Sequence, residues 1–530
     1  MVDLLKSDAP RKAMAVMLAL AIALGPISIP AFAADNAAPN ADPATATPIK
    51  HLVVIFQENV SFDHYFGTYP VATNPSGEPK FFSAPSTPAV NGFTNALLNF
   101  NPNLNSANGA GASNPFRLER SQAVTPDQDH NYTAEQLAFD GGVMDRFPAD
   151  TSSGGNEVMG YFDGNTVTAL WNYAQFFAMS DNSFSSTFGP STPGVMNLVA
   201  GQTNGVSATL NGTGDEVSDG NGGLTVIGDP DPLGDVCSNP TRNQVSMSGP
   251  NIGNLLSAAG VTWGGFMGGF NLSTVNANGT SGCKRSSAGL AGTTGDYIPH
   301  HSFFNYWPST ANYAHTRPAS VAEIGNAGPA NHQYDLQDFF AAAAAGNLPA
   351  VSFVKALAYQ DGHAGYSDPL DEQTFLVDTV NFLQTLPTWN STAVVVMYDD
   401  SDGWYDHQMG PIVNTSTGAA DALTGAGSCG NGAMVLPGVN GMPAMGRCGY
   451  GPRQPLLVIS PWARRNFVDH TVTDQSSIIH FIEDNWLGGK RLGQGSFDAI
   501  ASSITQMFDF SHRHEGGKLF LNPANGTPRE

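Results

Sequence analysis

Four short runs of β-branched and aromatic residues constrain the fold of this chain most strongly. They are residues 51–56 (HLVVIF), 350–354 (AVSFV), 393–398 (AVVVMY) and 456–459 (LLVI). Because apolar residues occupy consecutive positions, both faces of each strand must be buried, as in the parallel sheet of an α/β protein. Apolar residues three and four positions apart predict helices over 336–345, 372–386 and 476–487. The sequence therefore predicts an α/β fold with a central, mostly parallel sheet flanked by helices.

The N-terminal residues have the pattern of an export signal. Basic residues at positions 6–12 precede an apolar run, and residues 31–33 (AFA) offer the small-x-small site that a signal peptidase cleaves. We interpret residues 1–33 as a signal peptide, with an uncleaved membrane anchor as the alternative, and residues 34–48 as a flexible leader. No later stretch approaches the ~18 uninterrupted apolar residues of a membrane span. We therefore expect a secreted or periplasmic protein with no stable membrane span.

The rest of the chain is expected to form one catalytic domain over residues 49–490, followed by a C-terminal tail of the same domain over 491–530. Stretches rich in Gly, Asn, Ser and Asp predict loop insertions near 201–296 and over 408–452. Four cysteines in an exported chain favour disulfides over metal ligation: Cys237, Cys283, Cys429 and Cys448. Four cysteines allow three sets of pairs. We prefer the two local pairs, 237 with 283 and 429 with 448, because each would tether one Gly-rich region; free buried thiols are the alternative.

The charge balance excludes one class of function. The chain has 45 acidic and 22 basic residues among 530, a formal net charge of −23. Such a surface repels phosphate backbones, so nucleic-acid binding is not expected. The 41% hydrophobic content is enough to bury a core, which excludes wholesale disorder.

Carboxylates follow two of the predicted strands where those strands end. Glu58 and Asn59 come after the first apolar run, and Asp399 and Asp400 come after the run at 393–398. Because ligands of open α/β sheets bind outside the carboxyl ends of the strands, these side chains could converge there. Oxygen ligands of this kind suit hard divalent cations. The alternative is that each acidic pair caps a turn or helix.

Histidines and one hydroxyl pair are the other candidates for chemistry. His300 and His301 precede an aromatic cluster, and His363 lies beyond the strand at 350–354, where imidazoles could donate to an anionic oxygen or bind a metal. Ser191 and Thr192 lie between helix breakers and before an apolar helical run. A serine at a helix N-terminus suits a nucleophile that attacks phosphorus. The alternatives are solvated loop histidines and an ordinary N-cap.

These pieces resemble one family. Residues 57–67 (QENVSFDHYFG) are similar to the QENRSFDHYFG signature of the bacterial phospholipase C and acid phosphatase superfamily, whose core is alkaline-phosphatase-like. Further similar segments follow in the same order over roughly residues 48–490, at 189–191 (GPS), 297–301 (YIPHH), around His363, and at 398–407 (YDDSDGWYDH).

The resemblance implies an active site. Metal ligation would fall to Glu58, Asn59, Asp399 and Asp400, with Ser191 as the phosphate-accepting nucleophile and Thr192 as the second choice. The residues around the phosphoryl oxygens would be His300, His301 and His363. His130, in another segment similar to the family, could contact substrate, with a structural role in its loop as the alternative. One divalent ion is expected, of undetermined identity among Ca²⁺, Mg²⁺, Mn²⁺ and Zn²⁺.

Departures from the family pattern bear on the substrate. Val60 replaces the Arg of the signature, and Gly194 and Val195 replace the Asn and Arg that follow the nucleophile in phospholipase C members. Those members also carry further β domains after the core, and only some forty residues follow position 490 here. The resemblance therefore favours the short acid phosphatase branch.

We expect a broad, secreted, metal-dependent phosphomonoesterase that acts through a phosphoserine on small phosphate esters. If protonated imidazoles are required, activity should fall as pH rises through about 6.5. The first alternative is a phospholipase C that cleaves phospholipids to diacylglycerol and a phosphorylated head group. An acidic protein that only binds a cation or carbohydrate is the alternative from another class.

Overall fold

The computed structural model describes residues 44–212, 214–432, 434–514 and 517–529. The predicted signal peptide and residues 34–43 of the predicted leader lie outside the described residues. At the end of that leader, the backbone N–H and the hydroxyl of Thr47 both donate to Asn485 Oδ1, at 2.9 and 2.8 Å. Within the described ranges, no helix is both long and apolar enough to span a bilayer.

The strands of the described residues are β1 (His51–Gln57), β2 (Phe116–Arg117), β3 (Gly160–Tyr161), β4 (Ala178–Phe184), β5 (Val206–Leu210), β6 (Glu216–Ser218), β7 (Leu224–Val226), β8 (Asp231–Pro232), β9 (Gln244–Met247), β10 (Trp263–Met267), β11 (Ser286–Gly289), β12 (Gly292–Gly295), β13 (Gln333–Asp335), β14 (Val351–Lys355), β15 (Thr392–Tyr398), β16 (Arg453–Ile459), β17 (Phe467–Asp469) and β18 (Thr473–Asp474). The α-helices are α1 (Phe62–Phe66), α2 (Asn95–Asn99), α3 (Tyr132–Phe139), α4 (Phe147–Asp150), α5 (Thr168–Phe176), α6 (Ser191–Ala200), α7 (Ile252–Ala258), α8 (Leu336–Ala344), α9 (Pro369–Thr385) and α10 (Ser477–Trp486).

A central sheet organises the fold. Within the described residues it has nine strands in the order β13-β10-β14-β1-β15-β16-β4-β17, with β18 also paired to β4. Every neighbouring pair is parallel except the two made by β16, which runs antiparallel to β15 and to β4. The predicted class, α/β with a central, mostly parallel sheet flanked by helices, is confirmed.

Burial of both sheet faces explains why the predicted strands are continuous apolar runs. Residues 52–56 of β1 and 393–398 of β15 are all buried. Because neighbouring side chains of a strand point to opposite faces, such burial requires cover on both sides of the sheet. Helices contribute to this cover: α5 packs on β4 and β16, and α8 packs on β10 and β14.

The predicted insertion near 201–296 is interrupted by α7 and by β10 of the central sheet; apart from these, the described Gly-rich regions contain little regular structure beyond short strands. Over 201–250 the chain forms two small sheets, β5-β9-β8 and β6-β7, and residues 286–295 form the hairpin β11-β12. The preferred cysteine pairs are confirmed as disulfides, Cys237 with Cys283 and Cys429 with Cys448.

Candidate active site

The predicted acidic residues meet at one edge of the central sheet. Glu58 and Asn59 follow β1, and Asp399 and Asp400 follow β15. Since β1 and β15 are adjacent, parallel and paired in register to their last residues, their carboxyl ends lie side by side. All four residues are buried. The edge of the sheet therefore holds three carboxylates and an amide away from bulk water.

Backbone hydrogen bonds hold the two acidic segments together. The N–H groups of Asn59 and Asp400 both donate to Asp399 Oδ1, at 3.1 and 2.8 Å. Asn59 has a φ of 51°, a left-handed conformation that Asn tolerates better than most residues. This turn directs the chain from β1 toward Asp399, so the local conformation of Asn59 is part of how the site is built.

Ser191 is the first residue of α6 and lies against these carboxylates. Its Oγ is 3.1 Å from Glu58 Oε2 and 3.2 Å from Asp400 Oδ2, so the hydroxyl can donate to either. Thr192, the second choice for nucleophile, is turned away. Its Oγ1 lies 3.4 Å from the His300 carbonyl oxygen and 3.3 Å from a tyrosine hydroxyl. The structure thus brings Ser191, and not Thr192, to the acidic residues.

The departures after Ser191 have a structural reason in this chain. A Cβ on Gly194 would lie 2.4 Å from the backbone oxygen of Asp399, much closer than van der Waals contact permits. Glycine therefore lets α6 approach the end of β15 and bring Ser191 to the acids. Val195 is fully buried in the core, where an arginine would lack solvent.

Lys355, the last residue of β14, is a site residue that sequence reasoning missed. It is buried, its Nζ contacts Glu58 Oε1, and it lies 3.7 Å from Asp399 Oδ2. Burial and the neighbouring Asp399 raise the pKa of Glu58 well above its usual value, against the opposing charge of Lys355. A lone lysine at the end of an apolar run was the available signal.

The donor set fits a cation. Asp399 Oδ2 is buried and has no hydrogen-bond partner among the described residues. The amide oxygen of Asn59 faces two carboxylate oxygens, 2.6 Å from Glu58 Oε2 and 3.2 Å from Asp399 Oδ1, and only the reversed amide would donate to both. Burial raises the pKa of Asp400 well above its usual value. Crowded, buried oxygens with one nearby lysine leave negative charge that a divalent cation would offset.

A second group of ligand atoms overlaps the first. Glu58, His301 and Asp361 place potential ligand atoms within 4.8 Å of one another. His301 Nδ1 lies 3.1 Å from Glu58 Oε1 and 4.0 Å from Asp361 Oδ2. Burial, reinforced by the nearby His300, lowers the pKa of His301 well below its usual value. The structure therefore adds Asp361 to the acids around Glu58.

His363 lies on the other side of Asn59. Its Nδ1 is 2.6 Å from the Ala364 carbonyl oxygen, an acceptor that fixes the ring proton on Nδ1 in the neutral form. Nε2 lies 3.1 Å from the Asn59 amide. Burial lowers the pKa of His363 to about 4. With the Asn59 oxygen directed at the acids, the amide nitrogen faces this Nε2 and can donate to its lone pair.

His130 differs from His363 in the direction of its pKa shift. Its Nδ1 lies 2.8 Å from the Gln128 carbonyl oxygen and 3.2 Å from Asp402 Oδ1, and its Nε2 lies 3.4 Å from the Asn59 amide nitrogen. Burial opposes its charge, but Asp400 and Asp402 outweigh burial and raise the pKa of His130 well above its usual value. The neighbouring Asp400 and Asp402 therefore favour the protonated form of this ring.

The histidines share one cavity. Its volume is about 400 Å³, and its walls are formed by Asp127, Gln128, Asp129, His130, Asn131, Pro190, Asp229, Arg242, Ile298, His300, His301, His363 and Tyr366. His300 belongs to this wall and does not contact the acids that surround Ser191; its Nδ1 lies 3.3 Å from Arg242. Arg242 is a second residue that sequence reasoning missed.

A buried ion-pair network supports the two segments that carry the acids. Arg453, at the start of β16, lies 3.0 Å from Asp63 Oδ1 and 3.1 Å from Asp406 Oδ1. His407 Nδ1 lies 2.5 Å from Asp63 Oδ2. Asp63 follows Glu58 in the segment after β1, and Asp406 follows Asp400 in the segment after β15. The network therefore joins these two segments to each other.

The carboxyl edge of the α/β sheet thus brings together a buried serine and three buried carboxylates. The model of the Phosphoesterase family matches residues 49–487. The chain therefore belongs to the phosphoesterase family and is a hydrolase that acts on phosphoester bonds. The resemblance found in the sequence is confirmed, whereas its leaning to the acid phosphatase branch stays a prediction.

Several curated proteins are similar to most of this chain. Phospholipase C B of Mycobacterium tuberculosis is 24% identical over 88% of this chain and 79% of its own length. The non-hemolytic phospholipase C of Pseudomonas aeruginosa is 24% identical over 88% of this chain and 58% of its own length. Among solved structures, a protein in the alkaline phosphatase superfamily from Vibrio parahaemolyticus is 11% identical, with a TM-score of 0.28 over 73% of this chain and 74% of its own. Murine ectonucleotide pyrophosphatase/phosphodiesterase 5 is 12% identical, with a TM-score of 0.30 over 65% and 95%.

Proposed function

We propose that this protein is a metal-dependent phosphoester hydrolase that forms a phosphoserine at Ser191 and prefers phosphomonoesters. One observation carries the proposal. The Ser191 hydroxyl lies within 3.2 Å of two buried carboxylates, at the N-terminus of α6 and beside a cavity lined by histidines. A nucleophile there meets proton acceptors on one side and hydrogen-bond donors for the phosphoryl group on the other.

The chain's own residues account for the bond changes. Ser191 Oγ attacks phosphorus as its proton passes along its hydrogen bond to Glu58 or Asp400. The bond from phosphorus to the leaving oxygen breaks, and the leaving oxygen takes a proton from an imidazole of the cavity wall, for which His130 is the protonated candidate. Water then attacks the phosphoserine and gives a proton to the imidazole that lost one, the bond from phosphorus to Ser191 Oγ breaks, and Oγ takes back a proton from Glu58 or Asp400 as inorganic phosphate is released.

The metal would be held by Glu58, Asn59, Asp399 and Asp400. When bound, a divalent cation supplies charge that lowers the pKa of a neighbouring hydroxyl and neutralises the phosphoryl group. Oxygen and amide ligands suit Ca²⁺, Mg²⁺ and Mn²⁺ and do not exclude Zn²⁺.

The cavity supports small, polar substrates. Within its described walls only Pro190, Ile298 and Tyr366 offer mainly apolar surface, which suits a phosphate group better than an acyl chain. The phospholipase C names of the similar proteins favour the second candidate, cleavage of phospholipid diesters. Two disulfides fit an oxidising compartment, so we place the protein outside the cytoplasm, with the predicted signal peptide as its route.

The test compares hydrolysis of p-nitrophenyl phosphate and p-nitrophenyl phosphorylcholine by wild type, Ser191→Ala and Thr192→Ala, each before and after chelation. We expect Ser191→Ala to lower the monoester rate by at least about 10³-fold, while Thr192→Ala keeps most of it. Chelation should lower both the rate and the melting temperature, because buried carboxylates lose their counter-charge. Near-full activity of Ser191→Ala would refute the proposed nucleophile. Turnover of the choline diester alone would establish the second candidate instead.

A further inference from the structure

Arg242 is a cation of the cavity wall that the proposed mechanism does not use. It lies in the Gly-rich region, between β8 and β9, and shares the cavity with His130 and His300. Its side chain is 43% exposed, so it can meet a solute that enters. No other arginine or lysine is among the residues that line this cavity in the described chain.

Contacts hold the guanidinium in place without neutralising it completely. One terminal nitrogen donates to the Asp229 carbonyl oxygen at 2.7 Å, and the other lies 3.3 Å from His300 Nδ1 and 4.0 Å from Asp231 Oδ1. Asp229 Oδ1 in turn accepts the N–H of Thr192 at 2.8 Å. Asp229 therefore bonds both to the guanidinium and to the residue after Ser191, which links Arg242 to the helix that carries the nucleophile.

The contact with Arg242 also determines which ring nitrogen of His300 accepts a hydrogen bond. An arginine can only donate, so His300 Nδ1 must offer its lone pair, and the ring proton lies on Nε2. Asp231 Oδ1, at 3.6 Å from the same Nδ1, is beyond hydrogen-bond distance. Arg242 and His300 together thus provide N–H donors on one wall of the cavity.

We infer that Arg242 is a specificity residue that recognises the second negative charge of a phosphomonoester and so favours monoesters over diesters. This inference rests on the proposed function. A monoester carries about −1.5 to −2 charges at pH 7 and three free oxygens, whereas esterification of a further oxygen leaves one charge. A guanidinium binds such an anion through two parallel N–H donors. Removal of Arg242 therefore costs more for the monoester.

Three acids at the same cavity would favour the opposite substrate preference, for diesters over monoesters. Asp127, Asp129 and Asp229 also line it, and negative charge there would favour a cationic head group on a diester. If that field dominates, loss of Arg242 will change both ester classes alike or will improve diester turnover alone.

The experiment measures kcat/KM for p-nitrophenyl phosphate and for bis(p-nitrophenyl) phosphate with wild type, Arg242→Ala and Arg242→Lys. Arg146→Ala is the matched control, because Arg146 pairs with Asp150 on a helix away from the cavity lining. We expect Arg242→Ala to lower the monoester value about 10- to 100-fold and the diester value less than about 3-fold. Arg242→Lys should keep part of the monoester kcat/KM that Arg242→Ala loses. Arg146→Ala should change the kcat/KM of neither ester. Equal losses, or an unchanged monoester value, would overturn the inference.

A binding measurement separates this inference from the proposed catalysis. Calorimetry at pH 7.5 compares inorganic phosphate with dimethyl phosphate, which lacks the second charge, on wild type and Arg242→Ala. We expect Arg242→Ala to weaken phosphate binding about tenfold or more and to leave dimethyl phosphate unchanged. If neither ester is hydrolysed by wild type, the proposed function fails, and this binding ratio still decides the role of Arg242. Equal weakening of both anions would refute that role.

Discussion

Replacement of His64 by Asn should remove a specific part of the protein's sensitivity to acid. His64 lies in α1 and is 2% exposed. Its Nδ1 donates to the Gly160 carbonyl oxygen at 2.8 Å, and its ring stacks on Trp404 with 4.0 Å between centroids. Burial lowers the pKa of His64 to about 3. The folded protein therefore keeps this ring neutral under conditions in which the unfolded chain protonates it.

The sign and size of the effect follow from that shift. Because the folded pKa lies below the ordinary value of about 6.5, stability is fully present above pH 6.5 and is lost as the pH falls toward 3. At pH 5.0 protonation stabilises the unfolded state by RT ln(1 + 10^1.5), about 2 kcal/mol, and the loss of stability reaches about 4 kcal/mol at pH 3. Asn cannot ionise, and its amide can still donate to Gly160.

The assay is urea unfolding of wild type and His64→Asn at pH 7.5 and pH 5.0. The variant should be less stable at pH 7.5, because it loses the stack on Trp404, but the difference should shrink by about 2 kcal/mol at pH 5.0. His512→Asn, at a side chain that is 78% exposed, is the control for the substitution itself. A wild-type to variant difference that stays constant between the two pH values would refute the reasoning.

Three further changes test the account. Arg453→Met leaves Asp63 and Asp406 buried without their main positive partner. The free energy of unfolding in urea should therefore fall by about 3–5 kcal/mol, and a fall below about 1 kcal/mol would contradict this. Cys429→Ser combined with Cys448→Ser opens a loop closed across 19 residues and should lower the free energy of unfolding by about 3 kcal/mol. Unchanged stability would show that this disulfide does not stabilise the fold by restricting the unfolded chain. Because the pKa of His130 is raised well above its usual value, the monoesterase rate should persist above the ~6.5 of an ordinary imidazole and fall only at higher pH; a decline centred near 6.5 would exclude His130 as the proton donor.

The strands that the sequence predicts are those whose burial needs only apolar side chains. β1, β14, β15 and β16 all fall on predicted runs. Strand β4 (AMSDNSF) was missed because its central residues are polar. Asp181 in β4 is buried through remote partners, accepting from the backbone of Asn91 at 2.7 Å and lying 2.8 Å from His470 Nδ1. Periodicity cannot show such pairing, and it does not show that β16 runs antiparallel.

Some residues of the candidate site could be predicted from the sequence, and others could not. Glu58 and Asp399 could be placed from sequence because strand ends of a parallel sheet share one edge. Arg242 could not, because it reaches the cavity from a loop region whose path depends on tertiary contacts with Asp229 and His300. His130 was found through family resemblance alone, and its pKa shift depends on Asp400 and Asp402, which are distant from it in the sequence.

The central claim is that Ser191 carries the phosphoryl group during turnover. The most direct measurement is peptide mass spectrometry of enzyme that has been mixed with p-nitrophenyl phosphate and quenched in acid within one turnover. We predict one added phosphoryl group on the peptide that contains Ser191, located at Ser191 by fragmentation and missing in Ser191→Ala. A phosphoryl group on another residue, or none while the enzyme turns over, would contradict the account.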